Sequence, residues 1–134
     1  GTSPRPSPTM KRPGWMPTPA DVTHEPGDIV ALDLGFPTGS EAGLYRPAVV
    51  VTARRVLRGG PNVVQVVPLT TTIRPSCAEV SIDPDAENGL SSRSAAQCQH
   101  VRSVATSRIQ HRIGNVGPVV LAEIRETLSL ILDV

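Results

Sequence analysis

The sequence predicts a mainly β domain: a small barrel of six or seven short strands with one amphipathic helix at the C-terminus. Three observations predict it. Short β-branched runs recur through the middle of the chain, separated by turn residues. The last stretch alone carries helical spacing. A chain of 134 residues is long enough for one modest core and no more.

Residues 1–26 read as a proline-rich arm, disordered, with the domain occupying 27–134. Half of the fourteen prolines fall in that arm, and Gly1-Thr2-Ser3 has the look of an expression scar. Asp28 to Leu34 then forms a strand, and residues 35–45 a loop broken by three glycines and a proline. Pro47 to Thr52 and Asn62 to Leu69 are Val-rich strands joined by a charged connector, residues 54–61. Thr70 to Ser76 is a loop, and Cys77 to Ile82 alternates as a half-solvated strand. Asp83 to Ser92 is turn chemistry, Asp-Pro-Asp and then Glu-Asn-Gly. Three more short strands fit 94–99, 101–105 and 109–113. In the terminal helix Pro118 suits a first turn. Leu121, Ile124, Leu128 and Ile131 make one apolar stripe, with Glu123 and Glu126 off it.

Composition narrows the function. The net charge is +1 and the pI about 8.1, so bulk charge does not mark a nucleic-acid binder. The charge is segregated, however. Residues 41–75 carry Arg46, Arg54, Arg55, Arg58 and Arg74 against Glu41 alone. Residues 100–118 carry Arg102, Arg108 and Arg112 with His100 and His111 and no acid. Brought onto one face, the two stretches would make a phosphate-tracking groove. Aromatics are scarce: Trp15, Phe36 and Tyr45. Phe36 and Tyr45 flank the same loop, so one of them is a candidate to stack on a splayed base; closing a lid over the barrel or filling a dimer interface is the competing use. Cys77 and Cys98 have no metal spacing and read as small apolar filler in strands of a reduced, cytoplasmic protein. No run is apolar and long enough for a membrane span or a leader.

Gly27-Asp28-Ile29-Val30, then Gly39-Ser40-Glu41-Ala42-Gly43, then Arg46-Pro47-Ala48-Val49-Val50-Val51 resembles the opening of the MazF/PemK toxin family. Val66-Val67-Pro68-Leu69-Thr70-Thr71 and Gln99-His100-Val101-Arg102-Ser103-Val104 resemble two later blocks in the same order. The resemblance covers residues 27–134. It implies an SH3-like barrel, a homodimer, and an endoribonuclease that cuts single-stranded RNA (mRNA, with tRNA and rRNA as further candidates). It implies cleavage without metal or cofactor, leaving a 2′,3′-cyclic phosphate and a 5′-hydroxyl. It also implies a cognate antitoxin that blocks the RNA groove with an acidic segment.

That chemistry needs a cation at the phosphate, a proton acceptor and small hydrogen-bond donors. Arg46 is the first candidate. Its planar fork suits two phosphate oxygens, and Pro47 stiffens its base. Charge stabilisation suits a guanidinium better than the proton transfer that the family often assigns to it. Thr70 matches the family's active-site hydroxyl; the competing role is to cap its own backbone at a strand end. Glu41 matches the loop carboxylate and either accepts the 2′-hydroxyl proton or orients Arg46. Ser40, Tyr45, Thr71, Gln99, His100 and Arg102 are the candidate RNA contacts. His100 departs from the usual Gln or Glu of its block; it could read a base edge or exchange a proton, or be an ordinary surface histidine on a strand. A rival function is that of CcdB-like toxins, which share the fold and poison DNA gyrase by protein contact, without an arginine and a threonine converging on phosphate. A non-catalytic SH3-like module is the third reading, and two domain aromatics make a poor groove for it.

Overall fold

The computed structural model describes residues 24–33 and 45–134. Most of the N-terminal arm, and the loop carrying Phe36, Ser40 and Glu41, lie outside the described residues. Among the described residues seven strands and two helices follow in order: β1 (Asp28–Asp33), β2 (Tyr45–Val50), α1 (Arg54–Leu57), β3 (Val63–Thr70), β4 (Glu79–Ile82), β5 (Ser94–Gln97), β6 (Arg102–Ala105), β7 (Ile109–Asn115) and α2 (Gly117–Leu132). Two single 3-10 turns, Cys98–His100 and Thr106–Arg108, flank β6. The charged connector holds one helical turn, and residues 98–99, read from sequence as the end of a strand, belong to the first 3-10 turn.

All pairings are antiparallel. The strand order is β4-β5-β3-β2-β1-β7, with β6 also on β3. Strand β3 organises the sheet. Its first half pairs with β6 from Val63↔Ala105 to Val66↔Arg102, and its last two residues pair with β5. The change of partner falls at Val67-Pro68, where proline has no N–H to give.

Alternation sends consecutive residues to two cores. Ile29, Val49, Val67 and Leu69 join Ile82, Ala96, Cys98 and Val116 in one, which Ile124 of α2 completes. Val30, Leu32, Ala48, Val50, Val64 and Val66 join Val104 in the other, capped by Leu57 of α1. Of the apolar stripe on α2, Ile124 is buried and Leu121 and Leu128 pack against the first core, while Ile131 is exposed. Cys98 is the buried filler that the sequence suggests; Cys77 is exposed, in the turn before β4 rather than in a strand.

The expected barrel does not close: β4 and β7 are the two ends of an open sheet. The reason lies in the turn after β4. Asn88 is buried there; its amide donates to the Asp83 carbonyl (2.8 Å) and its side-chain oxygen accepts from the N–H groups of Asp85 (3.1 Å) and Leu90 (3.0 Å). The rigid turn then covers the edge of β7 where a closing strand would lie, with the Asn115 N–H donating to the Glu87 carbonyl (3.0 Å). The approach demands glycine on β7, since a Cβ at Gly114 would meet the Asn88 carbonyl oxygen at 2.3 Å. Gly114→Ala is expected to destabilise the fold by about 1–3 kcal/mol, as overpacking against backbone does, read as a lower urea midpoint with an unchanged slope.

Candidate active site

Asp28 is the polar anchor at the base of the domain. It is buried and accepts from Arg112 Nε (2.9 Å), Asn115 Nδ2 (3.0 Å) and the Glu25 N–H (2.9 Å). Asn115 Oδ1 in turn accepts from the Gly117 N–H (2.7 Å), taking up one of the orphan donors at the start of α2. Arg112 is thereby committed to structure. Arg54, on α1, pairs with Glu25. The two basic stretches therefore meet only in part: Arg46 and Arg102 lie on the face of the second core, and Arg108 comes to the Asp33 carbonyl beside Leu32.

Arg46 is exposed on β2, opposite Leu32 of β1. It follows the alternation of Ala48 and Val50, so it shares the face of the second core. The β2–β3 register runs Val50↔Val66, Val49↔Val67, Ala48↔Pro68. Carried two residues further, that register sets Arg46 opposite Thr70, on the same face. Thr70 ends β3, and its Oγ1 accepts from the Thr72 N–H (3.0 Å). The backbone-capping role is thus real. It also leaves the hydroxyl proton free to donate, since accepting uses only a lone pair.

The other candidates are less gathered. Tyr45 opens β2 beside Arg46 and is 59% exposed. Thr71 is exposed past the end of β3. Ser40 and Glu41 lie outside the described residues. Gln99 and His100 are exposed on the 3-10 turn that links β5 to β6, so His100 is on a turn rather than a strand. The Gln99 amide donates to Glu79 Oε2 (2.9 Å). Because a carboxylate only accepts, this bond turns the Gln99 carbonyl away from Glu79. Arg102 starts β6 opposite Val66, on the face of Arg46.

Arg108 was visible in sequence only as one of a basic stretch. It closes the second 3-10 turn and donates through Nη1 to the Asp33 carbonyl (3.2 Å). With Leu32, Arg102 and Val104 it lines a cavity of about 170 Å3. No spacing in the sequence signals this cavity, because its walls come from β1, β6 and the turn before β7. Among the described residues no group of three or more His, Cys, Asp or Glu could hold a metal ion, and no helix is long and apolar enough to cross a membrane.

The turn bearing Gln99 and His100 is pinned from below by Cys98, whose Sγ lies 3.9 Å from the Ile124 carbonyl of α2. Burial pushes this thiol from 9.0 to about 11; a backbone hydrogen bond opposes the rise and the Glu79 carboxylate adds to it. The folded chain therefore holds this proton to higher pH than the unfolded chain. The contribution to stability is intact below about pH 9 and lost as pH climbs through about 11. At pH 8 Cys77 is expected to alkylate at once and Cys98 only after unfolding, its thiolate fraction being about 100-fold below that of a free thiol. Mass spectrometry of the labelled protein checks this.

Residues 25–132 match the family model described as PemK-like, MazF-like toxin of type II toxin-antitoxin system. The chain is 38% identical over 111 residues to a Mycobacterium tuberculosis protein, Endoribonuclease MazF9, covering 80% of this chain and 94% of the relative. Among solved structures it resembles MazF from Deinococcus radiodurans at 27% identity, TM-score 0.66, over 84% of this chain and 98% of that one. It also resembles a chain of the MazE-MazF structure from the same organism at 27% identity, TM-score 0.67, over 83% and 96%.

Proposed function

As this chain belongs to the family of PemK-like, MazF-like toxins of type II toxin-antitoxin systems, we propose that it is a metal-independent endoribonuclease cutting single-stranded RNA at short sequence motifs. The endoribonuclease class rests on the family and on the relative that carries the name. The observation that carries the chemistry is the exposed Arg46 on a rigid strand, with Thr70 on its face across the continued β2–β3 register.

In this reading the 2′-oxygen of the RNA attacks the adjacent phosphorus, a P–O bond forms, and the bond to the 5′-oxygen breaks. The 2′ proton leaves to a base, for which Glu41 is the candidate, and a proton reaches the departing 5′-oxygen. The products are a 2′,3′-cyclic phosphate and a 5′-hydroxyl. Arg46 balances the extra negative charge on the phosphoryl oxygens, where a fixed cation is worth most. The free Thr70 hydroxyl proton donates to one of those oxygens. Ser40, Tyr45, Thr71, Gln99, His100 and Arg102 are the proposed contacts along the strand.

A cognate antitoxin is the proposed protein partner, supported by the MazE-MazF structure that this chain resembles. A homodimer is the proposed assembly. Exposed Leu130, Leu132 and Val134 at the end of α2 are apolar surface that such a pairing could cover. The CcdB-like alternative is disfavoured by the family match.

Purified protein in EDTA is expected to cut a long RNA at defined motifs. Arg46→Ala should lower the rate by about 100-fold or more, and Thr70→Val by about 10- to 100-fold, as for a hydrogen bond to a charged group, both with unchanged melting temperatures. Activity that vanishes in EDTA and returns with a divalent ion would overturn the metal-independent scheme; full activity in Arg46→Ala would overturn the site.

A further inference from the structure

The cavity between Leu32, Arg102, Val104 and Arg108 opens on the face that carries Arg46. Leu32, its inner wall, is the residue directly opposite Arg46, so the backbones that carry the two are one strand spacing apart, about 5 Å. That is within reach of a nucleotide attached to the scissile phosphate. At about 170 Å3 the cavity is well below the size that takes a whole drug-like ligand, and suits a single planar ring.

Its chemistry is divided. Leu32 and Val104 are nearly buried and form an aliphatic floor. Arg102 and Arg108 are exposed at the rim. A phosphate would gain nothing from that floor, whereas a base would lie on it, with a guanidinium plane available to stack where other proteins use an aromatic ring. Arg108 is held in place by its bond to the Asp33 carbonyl and keeps the rest of its fork. Both side chains that reach the rim are donors only. They complement the acceptors of the major-groove edge, O6 and N7 of guanine or O4 of uracil. On that same edge the amino groups of adenine and cytosine would set donor against donor.

We infer that this cavity is a base subsite of the RNA groove, holding one unstacked keto base, guanine or uracil, in the nucleotide beside the scissile phosphate. The inference rests on the endoribonuclease reading and adds the side chains that would set part of its cleavage motif.

End-mapping of a long unstructured RNA cut by the full chain tests it. At one fixed position next to the cut, guanine or uracil should exceed adenine or cytosine by about tenfold, the discrimination of one good arginine–base contact. In Arg108→Gln, and separately in Arg102→Gln, that ratio should fall below about twofold, with preferences elsewhere in the motif retained whatever the overall rate. A merely structural arginine would slow all sites alike and leave the ratio standing. That outcome, or wild-type cuts with no keto preference at either neighbouring position, overturns the proposal. Binding of short 2′-deoxy oligonucleotides, which lack the attacking hydroxyl, separates the two readings. Guanine-rich strands should bind about tenfold tighter than adenine-rich ones to wild type and equally to Arg108→Gln. Selective binding without cutting sinks the nuclease and keeps the subsite; cutting without selectivity sinks the subsite alone. Should Arg108→Gln instead spare the base preference and weaken inhibition by an oligo-glutamate peptide, the cavity is a carboxylate site and the base reading is rejected.

Discussion

Strand β2 divides its side chains between two cores, Val49 to the one under α2 and Ala48 and Val50 to the one under α1. Its neighbours make the same division, with Ile29 and Val67 on one side and Val30, Leu32 and Val66 on the other. With both faces buried, a one-residue slip would push valines into positions shaped for their neighbours and turn Arg46 toward the α2 side. Register is therefore fixed by packing. Arg46 inherits its place from it, opposite Leu32 and, two residues beyond the last Ala48↔Pro68 pair, level with Thr70. The cation needs no partner of its own to hold its position; the strand beneath it is already determined.

The same division explains how the domain tolerates so few aromatics. Small β-branched residues on a two-faced sheet fill both cores without large rings, and Tyr45, the aromatic among the described residues, is left exposed at the start of β2. A nucleic-acid groove without aromatic platforms must use other planar groups, and arginine supplies them. The chain has twelve arginines and one lysine. Among the described residues the arginines separate into distinct duties. Arg112 ties β7 to Asp28, Arg54 pairs with Glu25, and Arg125 donates to the Val51 carbonyl (3.3 Å). Arg46, Arg102 and Arg108 remain on one face.

Much of this was legible in the sequence because local pattern decides it. The Val-rich runs at 47–52 and 62–69 lie within one to three residues of β2 and β3, and Pro118 and the Leu121-Ile124-Leu128 stripe mark α2. What escaped depends on residues distant in the chain. Barrel closure was expected because seven strands and a helix usually close. The sheet stays open because Asn88 braces the turn after β4 and Gly114 lets that turn lie on the edge of β7, a contact between segments with no shared pattern. Cys77 missed its strand because β4 begins two residues later, at Glu79. The Leu32–Arg108 cavity was invisible for the same reason: Leu32 and Arg108 are ordinary in sequence and meet only because β7 pairs with β1, Leu32 facing Ile109.

The open sheet and the site are linked through that last pairing. Strand β7 is held to β1 with two register shifts, one between Ile29 and Val30 and one between Ala31 and Leu32. The second lies where β7 begins, and irregularities of this kind re-aim side chains and the chain path. A regular ladder would run β7 straight along β1 and keep the preceding turn flush with the strand end. With the shift, Ile109 faces Leu32, and the turn ending in Arg108 comes back to the Asp33 carbonyl. The guanidinium is thereby set at the rim of the cavity instead of past the end of the sheet. An edge strand under no obligation to close a barrel is free to carry such a shift. The turn braced by Asn88 at one end of β7 and the arginine rim at the other thus belong to one solution for the same strand.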